Sequence, residues 1–388
     1  MNSFICRACS NGCHISFHLI SDNRAVIKGY QCRKGIGFAE SHLCRDLGRA
    51  VYIDNKDRLQ ALPYSFETFS GIIASWSIHL KVLHPRIAIL GSPERTRFRV
   101  IVEDTAGTFY KLEKVASYRI IKRETQARIL EYLSLRGLSL AEPYLKNGSG
   151  DFITRHDDTW WQITPFIKGR NLKRPDYVFD AWRGRVLAEF LIDLRAASAD
   201  LPLLNKQDSF DLPGYIRDLL VTMDKHDPKV VERVKPAVQF LEESFFPIYP
   251  RLPTAFCHGD CHPLNMIWSD DGLKRVIDWE FCGYKAEIYD LANLIGCLGV
   301  EDPHSLQGDF VIELIRGVRS SGIISEISWD HLLGGVIALR FAWLSEWLRK
   351  KDVEMIELEE TYLKLLIDNR DILKESWDKA REGYVFVD

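Results

Sequence analysis

No stretch of this 388-residue sequence approaches the ~18–20 consecutive apolar residues that a bilayer-spanning helix requires. Its opening, Met1-Asn2-Ser3-Phe4-Ile5-Cys6-Arg7, lacks a basic segment followed by a long apolar one. It therefore reads as no signal peptide, and a cytoplasmic protein with no membrane partner is expected. An excess of one charge is also missing: 51 Lys and Arg stand against 54 Asp and Glu, a formal net charge of -3. That balance disfavours a globally basic nucleic-acid binder, and no nucleic-acid partner is expected. Internal repeats and low-complexity segments are absent too. What is present is ample material for a packed core: 46% hydrophobic residues, with 20 Phe, 14 Tyr and 10 Trp, which excludes a disordered chain. At ~150 residues per domain the length allows two or three domains.

Cysteine is scarce except at the start. Of nine, Cys6, Cys9, Cys13, Cys32 and Cys44 fall in the first 44 residues. Without an export signal, clustered thiols read as metal ligands before disulfides. Cys6-x-x-Cys9-x-x-x-Cys13 with Cys32 supplies four thiolates, suited to tetrahedral Zn²⁺ or a [4Fe–4S] cluster, with Cys44 as an alternative fourth ligand. The others, Cys257, Cys261, Cys282 and Cys297, read as core or pocket-wall thiols.

Hydrophobic spacing divides the chain into a cysteine-rich module (1–50), a connecting helical segment (51–85), a β-rich lobe (86–170) and a helical lobe (171–388). Residues 14–20 and 25–28 read as short strands, and Phe66–Leu83 as a helix. A hairpin is expected over 97–113, a helix over 119–135 and a strand over 160–167. Helices follow at 181–197, 214–223 and 229–243, strands at 266–268 and 273–277, and helices again from Asp290. A small β-rich lobe before a larger helical one leaves a cleft for a ligand.

The chemistry concentrates in residues 256–280. Asp271-Gly272 is a two-residue hairpin signal flanked by apolar runs. A symmetric hairpin about it sets Asn265 opposite Asp278, with Cα atoms roughly 4.5–5.5 Å apart. An amide oxygen and a carboxylate so placed are hard ligands suited to Mg²⁺ that also binds water and phosphate. Asp260 lies on the loop entering the hairpin. One carboxylate to accept a hydroxyl proton, with an Asn and an Asp for the metal, is the layout phosphoryl transfer needs.

His258-Gly259-Asp260-x-x-x-x-Asn265, followed by Asp278, resembles the catalytic loop and metal aspartate of the protein-kinase-like fold. The nearer likeness is to the aminoglycoside phosphotransferase and choline kinase branch, which Ile288-Tyr289-Asp290-Leu291-Ala292 also resembles. The resemblance spans roughly 86–370 and is strongest over 256–292. It implies an α+β, bilobal protein-kinase-like fold after the cysteine-rich domain, with ATP and Mg²⁺ as cofactors. It makes Asp260 the catalytic base and Asn265 and Asp278 the Mg²⁺ ligands, while His258 and Asp290 brace the loop. Such folds pair a strand Lys with a Glu on the next helix. Lys111 and Lys114 are candidates, Lys111 preferred because it sits inside its strand, and Glu124 is the expected partner. Pro165, Phe166 and Ile167 resemble the adenine-binding hinge. The Gly-x-Gly-x-x-Gly loop is missing, since Ile89–Thr96 holds one glycine, and Trp279-Glu280 stands where protein kinases carry Phe-Gly.

The function implied is an ATP- and Mg²⁺-dependent transfer of phosphate to a hydroxyl of a small molecule. The alternative is a regulatory or redox-sensing protein that binds nucleotide without turning it over. A protein kinase is disfavoured, because no activation-loop segment separates Asp278 from Asp290. Glu280, Glu287 and Glu346 hint at a cationic acceptor. The sequence specifies no oligomeric state.

Overall fold

Val100, Val102, Leu112, Trp161 and Ile163 are all buried on one side of a sheet, and that alternation fixes the small lobe. The computed structural model describes residues 64–85, 98–204 and 208–382, with 2–5, 14–21, 24–28, 39, 42, 43, 52, 53, 87 and 89. Cys6, Cys9, Cys13, Cys32 and Cys44, named above for Zn²⁺ or a [4Fe–4S] cluster, lie outside the described residues, as do residues 90–97. Four strands, β1 (Asn2–Ile5), β2 (His14–Ser21), β3 (Arg24–Lys28) and β4 (Tyr52–Ile53), make one sheet in that order.

The small lobe is an antiparallel sheet of β5 (Leu80–His84), β6 (Phe98–Asp104), β7 (Phe109–Val115), β8 (Thr154–His156) and β9 (Thr159–Pro165), ordered β5-β6-β7-β9-β8. The β6–β7 hairpin forms where expected. Asp104 closes its turn by accepting from the Ala106 and Thr108 amides at 2.9 and 2.8 Å. The expected helix over 66–83 is corrected. The helix α1 (Phe66–Ala74) stops early, and Leu80–His84 joins the sheet as β5. The spacing misled because Phe69, Ile72, Ile73, Trp76 and Ile78 all enter the same core, the last two from beyond the helix end. Ser77, at φ +57°, marks the break.

The large lobe is helical: α2 (Ile120–Leu135), α3 (Ala181–Ala197), α4 (Leu212–His226), α5 (Pro228–Ser244), α6 (Tyr289–Glu301), α7 (Asp309–Ser321), α8 (Glu326–Asp330), α9 (Leu332–Lys350), α10 (Val353–Asp368) and α11 (Arg370–Glu382). Although α2 follows the sheet, its Ala127, Ile129, Leu130 and Leu133 bury in the large lobe's core. Among the described residues, no helix is long and apolar enough to cross a membrane.

Two short antiparallel ribbons lie between sheet and helices. They are β10 (Thr254–Cys257) with β13 (Gly283–Ala286), and β11 (Met266–Trp268) with β12 (Leu273–Val276). Backbone bonds pin the second from both sides: Val276 N–H donates to Leu140 O at 2.9 Å, and Arg170 N–H to Trp268 O at 2.8 Å. The loops at the ribbon ends are thereby held at the junction of the lobes.

Candidate active site

The loop Cys257–Asn265 is tied by groups that leave little freedom. Asp290, in the first turn of α6, accepts from the His258 and Gly259 amides at 2.6 and 2.9 Å. Burial raises its pKa to about 6, and those two amide bonds oppose the rise. The fully buried His258 ring accepts the Asp260 N–H at Nδ1 (3.2 Å), so Nε2 carries the proton and donates to Ile277 O at 3.0 Å. Burial lowers its pKa to about 3, which keeps the ring neutral and this tautomer in place. One imidazole therefore links the backbone of Asp260 to the residue before Asp278. Gly259 has φ +82°, and a Cβ there would overlap the Phe281 carbonyl, so glycine is required. Asn293, three residues beyond Asp290 and so on the same helix face, holds the loop's far side through Cys261 O at 2.9 Å.

Asn265 is nearly fully buried, and its amide donates to Asp260 O at 3.0 Å and to Asp260 Oδ2 at 3.1 Å. The other oxygen, Asp260 Oδ1, lies 3.7 Å from His262 Nε2. Both N–H groups of the Asn265 amide point at Asp260, so its Oδ1 is turned the other way, as a cation ligand would be. A hard oxygen pair of Asn265 and Asp278 suits Mg²⁺ completed by phosphate and water. Among the described residues, no cluster of three or more His, Cys, Asp or Glu offers a metal site of another kind.

The expected opposition of Asn265 and Asp278 is off by one residue. β11 and β12 pair Met266 with Val276 and Ile267 with Arg275, then slip so that Trp268 faces Leu273. The connection is the four residues Ser269–Gly272, closed by Ser269 N–H to Gly272 O at 2.8 Å, not a two-residue turn. The Ser269 hydroxyl, on Asp271 at 2.9 Å, stabilises the longer loop. Asn265 thus faces Ile277, whose N–H donates to its carbonyl at 2.9 Å. A slip of one would flip a strand side chain to the other face. At Asp278 the chain has left the strand, with φ +64° and ψ +52°, a left-handed conformation Asp tolerates better than most residues.

Lys111 and Glu124 do not pair. Lys111 Nζ is 2.9 Å from Glu142 Oε1 and 3.6 Å from Glu113 Oε2. Burial pulls its pKa down, but Glu113 and Glu142 outweigh it and hold the ammonium above the ordinary lysine value. Glu124 instead forms an i,i+4 pair with Arg128 at 3.0 Å on the helix surface. Arg119, just before α2, lies 2.8 Å and Arg123, within it, 3.8 Å from the buried Glu280. Lys114 bonds the Tyr64 hydroxyl at 2.5 Å, away from Lys111's partners.

Two cavities adjoin this region, one at the loop and one at the β11–β12 ribbon that follows it. One, of about 240 Å³, is lined by Lys111, Glu142, the expected hinge Pro165-Phe166-Ile167, Ile267 and Ile277. The Phe166 N–H is engaged by Phe109 O at 2.8 Å, so it extends the sheet. The second, of about 310 Å³, is lined by Asp260, Lys285, Glu346 and the rings of Phe210, Tyr289 and Trp343. Trp343 is backed by the buried Arg340–Glu359 pair, whose Arg340 Nε lies 2.9 Å from Glu359. Of the three acidic residues noted for a cationic acceptor, only Glu346 lines this cavity. The Arg349 bond, then Lys350, lowers its pKa to about 2. Glu280 is taken by α2, and Glu287 by the Ser325 and Ser328 hydroxyls and Arg195. Cys257, Cys261, Cys282 and Cys297 are thiols whose pKa values burial raises, consistent with packing.

Sequence reasoning missed Glu142, Lys285, Asn293 and Trp343. Asn293 was visible as i+3 from Asp290, and Glu142 as a lone carboxylate before Pro143 in an apolar stretch. Lys285 and Trp343 had no local signal.

A model of the "Phosphotransferase enzyme family" matches residues 94–319, more than half of the chain. A homoserine kinase of Methylobacterium radiotolerans is 26% identical over 229 residues, covering 57% of this chain and 68% of that protein. A homoserine kinase of Parvibaculum lavamentivorans is 28% identical over 171 residues, 42% of this chain and 49% of that protein. The chain thus spans between half and about two thirds of these relatives. Among solved structures, an amicoumacin kinase in complex with AMP-PNP and Ca²⁺ superimposes with a TM-score of 0.58 at 15% identity, covering 81% of this chain and 95% of that one. That likeness concerns the fold, an α+β kinase-like arrangement with a sheet before a helical part.

Proposed function

The chain belongs to the phosphotransferase enzyme family and is a small-molecule kinase, and from that premise we propose that it transfers the γ-phosphate of ATP, with Mg²⁺, to a hydroxyl in the cavity that Asp260 lines. The observation that carries this reading is one oriented carboxylate on the wall of one cavity, in a loop that His258 ties to Ile277, which lines a second. Asn265 holds Asp260 Oδ2, and Oδ1, 3.7 Å from His262 Nε2, accepts the acceptor's proton as the bond to phosphorus forms. His258 and Asp290 fix the loop that carries it. Lys111, at the wall of the other cavity, meets the nucleotide's phosphates, and Pro165, Phe166 and Ile167 form the wall for its base. Asn265 Oδ1 and Asp278 hold Mg²⁺, whose charge offsets that of the phosphates when it is bound. Homoserine, named for the relatives above, is the first acceptor to try.

The test is turnover of ATP with Mg²⁺ and a panel of homoserine, other amino alcohols and sugars. Asp260→Asn is expected to lower kcat by about 10²–10⁴-fold, the usual contribution of a general base, with an unchanged melting temperature. Turnover that survives the substitution rejects the role. Nucleotide binding without phosphate transfer to any acceptor favours the non-catalytic sensor instead.

A further inference from the structure

Two cationic side chains among the described residues are more than nine-tenths buried, Arg340 and Lys285. Arg340 is matched by Glu359, which two of its nitrogens meet. Lys285 has no carboxylate at ion-pair distance among the described residues. Its ammonium donates to Phe281 O at 2.8 Å and lies 5.6 and 5.3 Å from the ring centroids of Phe210 and Tyr289. An ammonium carries three donors, so two remain after that bond. Lys285 and both rings line the same cavity as Asp260.

A buried charge without a counter-ion is costly, and an anion entering the cavity removes that cost. The anions already there do not serve. Glu346 is engaged by Arg349 and Lys350 and Asp260 by Asn265 and His262, while Asp290, whose charge Lys285 feels, makes no contact with it and has both oxygens on loop amides. The stem of Lys285 passes beside Gly259, where a Cβ would fall 2.9 Å from its Cε. The ammonium is therefore held next to the loop bearing the proposed base, on the cavity opposite Lys111.

We propose that Lys285 is a specificity-determining residue that binds a carboxylate of the acceptor, so that the substrate class is hydroxy acids, not amino sugars or simple amino alcohols. This rests on the reading above that the cavity beside Asp260 takes the acceptor. The shared chemistry, an oxyanion on an ammonium, has a second source in the transferred phosphate, which Lys285 would meet equally with every acceptor.

Binding separates the two without requiring turnover. Calorimetry of the whole protein with Mg²⁺ and a non-hydrolysable ATP analogue is run with homoserine, 4-hydroxybutyrate and glycerate, each against its decarboxylated alcohol: 3-aminopropan-1-ol, propan-1-ol and ethylene glycol. At least one acid is expected to bind about 10- to 100-fold more tightly than its alcohol, the range of one charge-assisted hydrogen bond. Lys285→Met, which keeps the stem between the rings, should erase that difference, and Lys285→Arg should retain part of it. No preference for any acid in the unsubstituted protein overturns the proposal whether or not Lys285→Met folds. A preference that Lys285→Met leaves intact overturns it too, as does kcat falling equally for acid and alcohol, the sign of phosphate contact. Failure of the phosphotransfer reading itself shows separately, as no Asp260-dependent ATP turnover with any acceptor.

Discussion

The loop around Asp260 and the surroundings of Lys111 are built by opposite means. In the loop, main-chain groups are fixed by side-chain hydrogen bonds: Asp290 on two amides, His258 on an amide and a carbonyl, Asn265 on Asp260. Around Lys111, charged side chains meet one another directly, with Glu113 from the same strand and Glu142 from beyond α2. The loop therefore has one arrangement, set by hydrogen-bond geometry. The ion network is held by charge, less directional and open to exchange when phosphates arrive. Fixed geometry suits the group that takes a proton, and an exchangeable partner suits the cation that must greet a nucleotide.

Breaking the rigid region should cost most. Gly259→Ala forces a left-handed alanine, costing about 1–2 kcal/mol from backbone alone, and drives its Cβ into the Phe281 carbonyl. kcat is expected to fall by two orders of magnitude or more, on the scale of losing the base that this residue precedes, with a lowered melting temperature. Wild-type kinetics from this variant would mean that the loop is not the rigid element described. Next in size is the exchangeable region. Glu142→Gln keeps a hydrogen bond to Lys111 but removes the charge 2.9 Å away. The KM for ATP is expected to shift by about tenfold, within the 1.5–3 kcal/mol of a charged hydrogen bond, with little change in kcat. Glu124→Gln serves as the control and should change neither constant, because an exposed i,i+4 pair contributes only about 0.3–0.5 kcal/mol. An effect of Glu124→Gln larger than that of Glu142→Gln would restore the pairing first expected from the sequence.

The same contrast explains what could be read beforehand. Histidine, aspartate and asparagine at 258, 260 and 265 bond one another within a few residues, so their spacing encodes that part of the geometry, while the Asp290 brace comes from much farther along the chain. The hairpin register failed by one residue because Asp271-Gly272 also fits a four-residue loop, and only the Ser269 contacts decide between them. The Lys111 partner failed because Glu124 and Glu142 both follow the strand, and which one returns to it depends on α2 packing on the large lobe. Lys285 was illegible because its meaning is an absence, the lack of a carboxylate at ion-pair distance among the described residues, which no local pattern expresses.

The smallest expected effect tests whether the rigid loop depends on charge as well as shape. Asp290 ionised accepts two amides; protonated, it accepts them more weakly and turns one oxygen into a donor. Burial raises its folded-state pKa from the ordinary aspartate value to about 6. A carboxyl so raised binds its proton more tightly folded than unfolded, so its stabilising contribution is present below the unfolded value and lost as pH rises through the folded one. Stability from this group thus increases on acidification from about 6 towards 4, while loop order, and with it kcat, declines. At pH 6 about half the molecules carry the proton, which sets the expected loss of kcat near twofold relative to neutral pH. In Asp290→Asn the side chain cannot ionise, so kcat should be lower throughout and this acid limb should vanish. Measuring kcat and melting temperature together across pH 5–8 separates the outcomes. Opposite slopes support a charge-dependent brace, whereas an acid limb unchanged in Asp290→Asn shows that it does not arise from Asp290 and leaves that residue a purely steric post.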